Sequence, residues 1–305
     1  MNLFVRLAAA STCAALFAGP VLAAPLNVVA TLSTFGDLVR TVGGDHVKVS
    51  TIASPKFNPH FIEPKPSDIL KTQKADLFVH AGLDLEAWRG PLVDATGNAD
   101  IRPGGPKQLD LSTGVALLEV PDRAVSRSEG DIHLFGNPHY WIDPENAKIM
   151  AKTIAGKLSE IDSPNAADYA TNLSAFVTAV DAKIPEWKKD MAPFAGREII
   201  GYHNEWPYLM AFLGLKMDKF LEPKPGVPPG PKQAKYLADY MKSNGVTVIV
   251  QTSYFPSKAA KALAETVGGH AVLLCQGVGE NDEATDFIHM TDYNVRAVAQ
   301  ALAAK

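Results

Sequence analysis

Two segments of the chain repeat one four-residue pattern, and each contains a histidine. Residues 57–63 read FNPHFIE and residues 136–143 read GNPHYWID, so Asn, Pro, His and an aromatic residue follow one another at His60 and at His139. Proline fixes its own φ and restricts the preceding residue to extended backbone. Each motif therefore predicts a stiff loop that presents an imidazole.

A third histidine occupies a comparable position. His203 lies in GYHNEWP, directly after the apolar segment 198–202, which we predict to be a strand that leads into a helix. Neutral imidazole is the commonest nitrogen donor to zinc, and three imidazoles with a fourth ligand form a tetrahedron. The sequence thus predicts a metal site built on His60, His139 and His203.

The elements that must position these loops alternate between strand and helix, as judged from apolar periodicity and from proline and glycine boundaries. Such alternation is typical of parallel sheets covered by helices. The predicted strands are 26–32, 47–52, 75–80, 109–118, 198–202, 246–251 and 271–275, and the predicted helices are 35–42, 66–73, 82–93, 143–161, 205–213, 231–243, 257–267 and 284–303.

A longer helical pattern, 162–191, separates the two alternating regions. At 1.5 Å per residue it spans about 40–45 Å, which is enough to cross from one domain to another. We therefore predict an α/β fold of two doubly wound lobes with parallel sheets, residues 25–161 and 193–305, joined by one long rigid helix, residues 162–192. Ligands of parallel sheets bind beyond the carboxyl ends of the strands, so the metal site is expected in the cleft between the lobes.

Residues 1–24 do not fit this fold. One charge, Arg6, precedes an apolar run, and Val21 to Ala24 form a small-residue cleavage site, which together predict a cleaved signal peptide and a periplasmic protein. Thr12 stands where a lipoprotein signal has a small residue before its cysteine, so Cys13 is not expected to carry a lipid.

Composition excludes several classes of protein. With 47% hydrophobic and 20% charged residues among 305, the chain is globular and long enough for two domains. Its formal charge of −4, which becomes −5 once Arg6 is removed, argues against nucleic acid as a partner. Cys275 is the one cysteine left after cleavage, so the mature chain has no intramolecular disulfide.

Longer motifs around the histidines make a resemblance specific. FNPHFIEPKPSDI, AGLDLEAW, GNPHYWIDPENA, GYHNEWPYLMAFLGL and the closing TDYNVRAVAQAL resemble the zinc and manganese solute-binding receptors of bacterial ABC transporters, the cluster A-I (cluster 9) family. The resemblance implies two α/β lobes joined by a rigid helix. It also implies one metal ion in the cleft, held at His60, His139 and His203.

The same resemblance implies a function. The chain is expected to be a periplasmic high-affinity metal receptor that delivers its ion to a membrane permease of an ABC transporter. Three nitrogen ligands favour Zn²⁺, and Mn²⁺ or another divalent metal is the alternative within the family. A periplasmic metallochaperone that supplies the ion is a further candidate partner.

The fourth ligand is where the sequence departs from the family. Family members commonly carry an aspartate about twenty residues before the terminal Tyr-Asn pair, and a count back from Asn294 reaches Cys275. A thiolate binds zinc well, but a lone cysteine after a strand is more often a small core residue. The candidates for the fourth position are Cys275, Glu222, Glu280, Asp282, Glu63 or a water.

The other histidines and two acidic residues receive structural interpretations. His133, in the loop before the second motif, is expected to be solvated, although it could fold over the metal. Glu63 and Asp143 could orient imidazoles, and Asp143 before Pro144 also resembles a helix cap. The histidines interpreted as structural are His46, His80, His270 and His289.

A mononuclear zinc hydrolase is the rival hypothesis, because three histidines and an open position also activate water. Glu205 lies two residues after His203 in an HxE pattern, but no PCxxC partner and no HExxH motif occur. We expect Glu205 to cap a helix or to contact a neighbouring loop. The sequence therefore favours a receptor that performs no catalysis.

Overall fold

The computed structural model describes residues 24–123 and 133–304. The predicted signal peptide, apart from Ala24, lies outside these residues. No helix within the two described ranges is both long and apolar enough to cross a bilayer.

The N-terminal sheet has four parallel strands in the order β2-β1-β3-β4. Val28 and Ala30 of the central strand are almost fully buried, as the apolar, β-branched character of that strand requires. The strands are β1 (Leu26–Ala30), β2 (Val47–Thr51), β3 (Leu77–His80) and β4 (Gln108–Asp110), and the intervening helices are α1 (Ser33–Gly43), α2 (Pro66–Gln73) and α3 (Arg89–Thr96).

Two helices follow this sheet, α4 (Pro144–Ile161) and the long α5 (Ala166–Met191). The 26 residues of α5 span about 39 Å, and Pro185 does not interrupt it. This helix contacts α1 and α4, which precede it in sequence, and two helices that follow it in sequence. The predicted long helix that reaches both lobes is thus confirmed, with its start four residues later.

The C-terminal sheet has three parallel strands in sequence order. Its last helix packs back onto α1 and α5, so the end of the chain contacts the N-terminal half. The elements are β5 (Ile200–Gly201), α6 (Pro207–Leu213), α7 (Pro231–Asn244), β6 (Val248–Gln251), α8 (Ser257–Val267), β7 (His270–Leu273) and α9 (Phe287–Ala303).

Two predicted elements differ from the structure by seven or eight residues at one end. The strand predicted over 109–118 ends at Asp110, whose carboxylate accepts hydrogen bonds from the backbone N–H and the hydroxyl of Ser112 and so turns the chain. The helix predicted over 82–93 begins only at Arg89. Both segments are apolar enough to suggest regular structure, but turns and local side-chain hydrogen bonds replace the strand and the helix over part of each segment.

One hydrophobic cluster extends through both halves of the molecule. It includes residues of β1, α1 and α4, the inner face of α5, and residues of α6 and α9. Phe176 of α5 meets Phe287 of α9 edge to face, with ring centroids 6.2 Å apart. The lobes are therefore joined by packed core as well as by the long helix.

Candidate metal centre

The first NPH loop follows β2 and is held by its own asparagine. The side chain of Asn58 accepts a hydrogen bond from the backbone N–H of His60 at 3.0 Å, and Asn58 has the extended backbone that a following proline imposes. The indole of Trp88 donates to the Pro59 carbonyl at 2.8 Å. These contacts hold the loop in place and leave His60 buried.

The second NPH loop repeats the same turn. Asn137 accepts from the backbone N–H of His139 at 3.0 Å and also lies 2.9 Å from the ring Nδ1 of that residue. The hydroxyl of Tyr208 donates to the Asn137 carbonyl. The asparagine in each motif thus orders the loop, and the second one also orients its imidazole.

His203 follows β5, the strand predicted to carry it. Its Nδ1 lies 2.7 Å from the carboxylate of Glu222, which also accepts from the backbone N–H of Gly226. Both side chains are buried, at 6% and 7% exposure. A carboxylate on Nδ1 fixes the tautomer that leaves Nε2 free to bind a metal.

The structure brings the three predicted histidines together. The ring centroid of His60 lies 5.1 Å from that of His139 and 5.6 Å from that of His203, and the latter two rings are 5.7 Å apart. The Nε2 atoms of His60 and His139 are 3.0 Å apart. Two nitrogens of a tetrahedral zinc ion lie about 3.3 Å apart, so this pair needs little adjustment to share an ion.

His133 is also part of the cluster, contrary to its prediction as a solvated loop residue. Its ring stacks on His60 with centroids 5.1 Å apart, and its side chain is 10% exposed. Within the described ranges, the ligating atoms of His60, His133 and His139 all lie within 4.8 Å of one another, and this group does not include His203. The sequence contained little indication that His133 joins the cluster, since its one sign was the DIH triplet, whose histidine lies six residues before the second ligand.

Burial and crowding set the charge of the cluster. Burial is the main cause that lowers the pKa of His60 and His139 well below the ordinary histidine value, and neighbouring imidazoles lower it further. These rings are therefore neutral near pH 7. Neutral imidazole is the form that binds a metal ion.

The structure gives most candidates for the fourth ligand another role. Cys275 is buried in the core, and burial raises the pKa of its thiol. The carboxylate of Glu280 accepts hydrogen bonds from Ser253 and from the backbone of Gln276 and Gly277. Glu222 is bound to His203, as described above. Glu63 and Asp282 are exposed.

Two acidic residues near the ligand loops have structural partners. Glu205 accepts from the hydroxyls of Tyr254 and Thr252, on the loop after β6, as its predicted contact with a neighbouring loop required. Burial raises the pKa of Glu205 well above its usual value. Asp143 accepts from the backbone N–H of Glu145 and is the predicted cap of α4.

The remaining histidines lie outside the cluster. His80 ends β3, and burial, with Arg89 nearby, lowers its pKa to about 4; its ring bonds to Gln108. It is buried in the protein, consistent with its interpretation as a structural residue. His46 pairs with Asp168, and His289 with Asp286.

A small cavity of about 120 Å³ connects the cluster to the protein surface. Glu119 lies at its rim, where its carboxylate accepts from Asn137 at 2.9 Å and from Asn204 at 2.7 Å. These two asparagines belong to the second and third ligand loops. Glu119 thus joins the two loops beside the route to the histidines.

Comparison with known proteins agrees with this architecture. The family described as "Zinc-uptake complex component A periplasmic" (ZnuA) matches residues 28–301. The chain belongs to this family. Its members are the metal-binding, substrate-binding proteins of ABC transporters.

Curated relatives in the ZnuA family carry the names of different metals. The iron-binding protein YfeA of Yersinia pestis is 26% identical over 90% of this chain and 85% of its own length. The manganese ABC transporter substrate-binding lipoprotein PsaA of Streptococcus pneumoniae is 26% identical over 91% and 89%.

Two solved structures share the fold. A crystal structure of ZnuA matches with a TM-score of 0.76 at 26% identity, over 91% of this chain and 99% of that one. A deletion mutant of ZnuA with zinc bound matches with a TM-score of 0.75 at 26% identity, over 92% and 99%. The predicted fold class and family are both confirmed.

Proposed function

We propose that the protein is a periplasmic zinc receptor that binds one ion through His60, His139 and His203 and delivers it to an ABC transporter permease. The observation that carries the proposal is the convergence of three buried imidazoles from three separate loops. The zinc-bound ZnuA deletion mutant, which has the same fold, supports it.

The donor atoms favour zinc within a family whose relatives are also named for manganese and iron. Manganese prefers carboxylate and other oxygen ligands, whereas imidazole suits zinc. The nearby carboxylates of Glu222 and Glu280 are already occupied by a histidine ring and by backbone and hydroxyl donors. Manganese remains the alternative cargo.

A receptor fits the site better than a hydrolase does. A zinc hydrolase needs a base that reaches the metal-bound water. Glu205 follows His203 closely, but its carboxylate bonds to Tyr254 and Thr252. The proposal therefore includes capture and release of the ion without catalysis, after export by a cleaved signal peptide. Delivery of the ion by a periplasmic metallochaperone is not part of it.

The test is a zinc titration of chelator-stripped protein by competition calorimetry. We expect one zinc per chain, and a loss of at least about 100-fold in affinity for H60A, H139A and H203A, since loss of an outer partner alone costs 10–100-fold. His289→Ala, at an exposed histidine, is the matched control. Absence of zinc binding, or affinity that none of the three substitutions changes, would overturn the proposal.

The metal preference needs a separate experiment. Chelator-stripped protein is offered equal concentrations of Zn²⁺ and Mn²⁺ at pH 7, and the bound metal is measured by mass spectrometry of the eluted protein. We expect zinc alone to be retained. Because zinc outcompetes manganese at most sites, the decisive second measurement is direct Mn²⁺ titration, in which binding as tight as that of zinc would favour the manganese alternative.

A further inference from the structure

His133 reaches the histidine cluster from a fourth segment of the chain, which precedes the second NPH motif. The proposed function requires only His60, His139 and His203. We infer that His133 is the fourth ligand of the bound metal, so that the site consists of four imidazoles; this inference rests on the proposed function.

The first argument is the state of the two ring nitrogens. Nδ1 of His133 lies 2.8 Å from the carboxylate of Asp84, which fixes the proton on Nδ1. Nε2 is then the atom with a free lone pair. Within residues 24–123 and 133–304, Nε2 is buried and has no hydrogen-bond partner, and the side chain is nine-tenths enclosed. A buried nitrogen without a partner is unfavourable, and a metal bond would satisfy it.

The second argument is position. The ligating atoms of His133 lie within 4.8 Å of those of His60 and His139. Its ring lies 5.1 Å from that of His60 and 5.8 Å from that of His139, which are the separations found among the three predicted ligands. His133 also lines the cavity that reaches the surface, on the side of His203.

The third argument is the support of the loop. Asp84, in the segment after β3, accepts from the backbone N–H of Leu134 at 2.9 Å as well as bonding to the ring of His133. Asp84 has the same relation to His133 that Glu222 has to His203.

Four nitrogen ligands would complete the zinc tetrahedron without a water molecule. A zinc site closed by four protein ligands has no open position for catalysis, whereas three ligands leave one. A fourth imidazole also removes the position at which manganese would take an oxygen ligand. The inferred fourth ligand thus favours zinc over manganese, and it also leaves no open position for hydrolytic chemistry.

The experiment compares wild-type protein with His133→Ala, Asp84→Asn and the control His289→Ala, each loaded with one equivalent of zinc. Zinc-edge X-ray absorption counts the imidazole ligands, and chelator competition gives the affinity. We expect four imidazoles in the wild type and in the control. H133A should show three imidazoles and one oxygen, with affinity at least about tenfold lower, and D84N should retain four with affinity about tenfold lower.

The outcomes separate this inference from the function on which it rests. Zinc bound by wild type through three imidazoles, with H133A unchanged in affinity, overturns the fourth ligand and leaves the receptor proposal intact. Failure of wild type to bind zinc overturns the receptor proposal itself. Circular dichroism and thermal melting of the metal-free variants test whether each is folded, so that a loss of zinc in a folded variant is assigned to the missing ligand.

Discussion

At the residue scale, side-chain oxygen atoms orient the imidazoles of His203, His133 and His139. Glu222, Asp84 and Asn137 each lie within 2.9 Å of the Nδ1 atom of one histidine. A ring held in this way keeps one tautomer and one orientation before the metal arrives, which reduces the cost of binding. The outer residues should therefore matter to affinity although they do not touch the ion.

Glu222→Gln tests this reasoning at His203. We expect the affinity for zinc to fall by about 10–100-fold, because the amide is a weaker acceptor and no longer raises the basicity of the ring. Chelator competition at pH 7 measures the change. The matched control is Glu63→Gln, an exposed glutamate near the first ligand. Equal affinities of E222Q and the wild type would show that Glu222 only supports its own loop.

Cys275 is one of the candidates that the sequence offered for the fourth ligand, and the structure places it in the core. We expect Cys275→Ser to leave zinc affinity within about twofold. The serine should lower the free energy of unfolding by about 1–3 kcal/mol, the cost of a buried hydroxyl without a partner. Calorimetry and urea denaturation measure the two effects. A tenfold loss of zinc affinity would assign the thiolate to the metal.

At the element scale, the sequence predicted helix ends best where a specific residue type, such as proline or serine, sets the boundary. Helices α2 and α8 have the predicted bounds, because a proline or serine begins each and a strong apolar pattern continues it. The predicted length of the strand over 109–118 was wrong, because the carboxylate of Asp110 accepts a hydrogen bond that turns the chain and that composition does not reveal.

In the candidate site too, the features set by local sequence were predicted and those set by tertiary packing were not. The NPH repeat predicted two rigid ligand loops, since proline and asparagine act locally. The place of His133 could not be predicted, because it depends on Asp84, which lies 49 residues away in sequence. Proximity of this kind arises from tertiary packing and leaves no periodic signal.

The loops that carry His139 and His203 are joined by Glu119, a non-glycine residue with a φ of +54°. Strain of this kind is retained when the surrounding contacts outweigh it. Glu119→Ala removes two hydrogen bonds, and we expect zinc to dissociate about 2- to 10-fold faster because the rim of the site loosens. Stopped-flow transfer to a chelator measures the rate. Asp122→Ala, in the same segment and exposed, is the control, and equal rates in all three proteins would contradict the prediction.

At the scale of the whole molecule, hydrogen bonds join the two lobes. Trp141 and Thr34 both donate to the carbonyl of Gln276, and the carboxylate of Asp37 in α1 accepts from the backbone N–H of Phe287 at the start of α9. With the shared core, these bonds restrict how far the lobes can separate. Under the proposed function, we therefore expect release of the ion to depend on movement of the ligand loops more than on wide opening of the cleft.

Asp37 makes this junction sensitive to pH. Burial is the main cause that raises its pKa from 3.8 to about 6, and the hydrogen bond from Phe287 and the charge of Arg40 oppose the rise only in part. A raised pKa means that the folded state binds the proton more tightly than the unfolded chain does. The resulting stabilisation is present below about pH 4 and is lost as the pH rises through about 6.

Asp37→Asn replaces this group with a neutral side chain that can still accept from Phe287. We expect the unfolding free energy of the variant, relative to wild type, to rise between pH 4 and pH 7 by on the order of 1–3 kcal/mol, since two pKa units correspond to about 3 kcal/mol at most. Urea denaturation of both metal-free proteins across this range measures the difference, with exposed Asp122→Asn as control. A difference that does not change with pH would mean that Asp37 titrates normally and that water reaches the junction between the lobes.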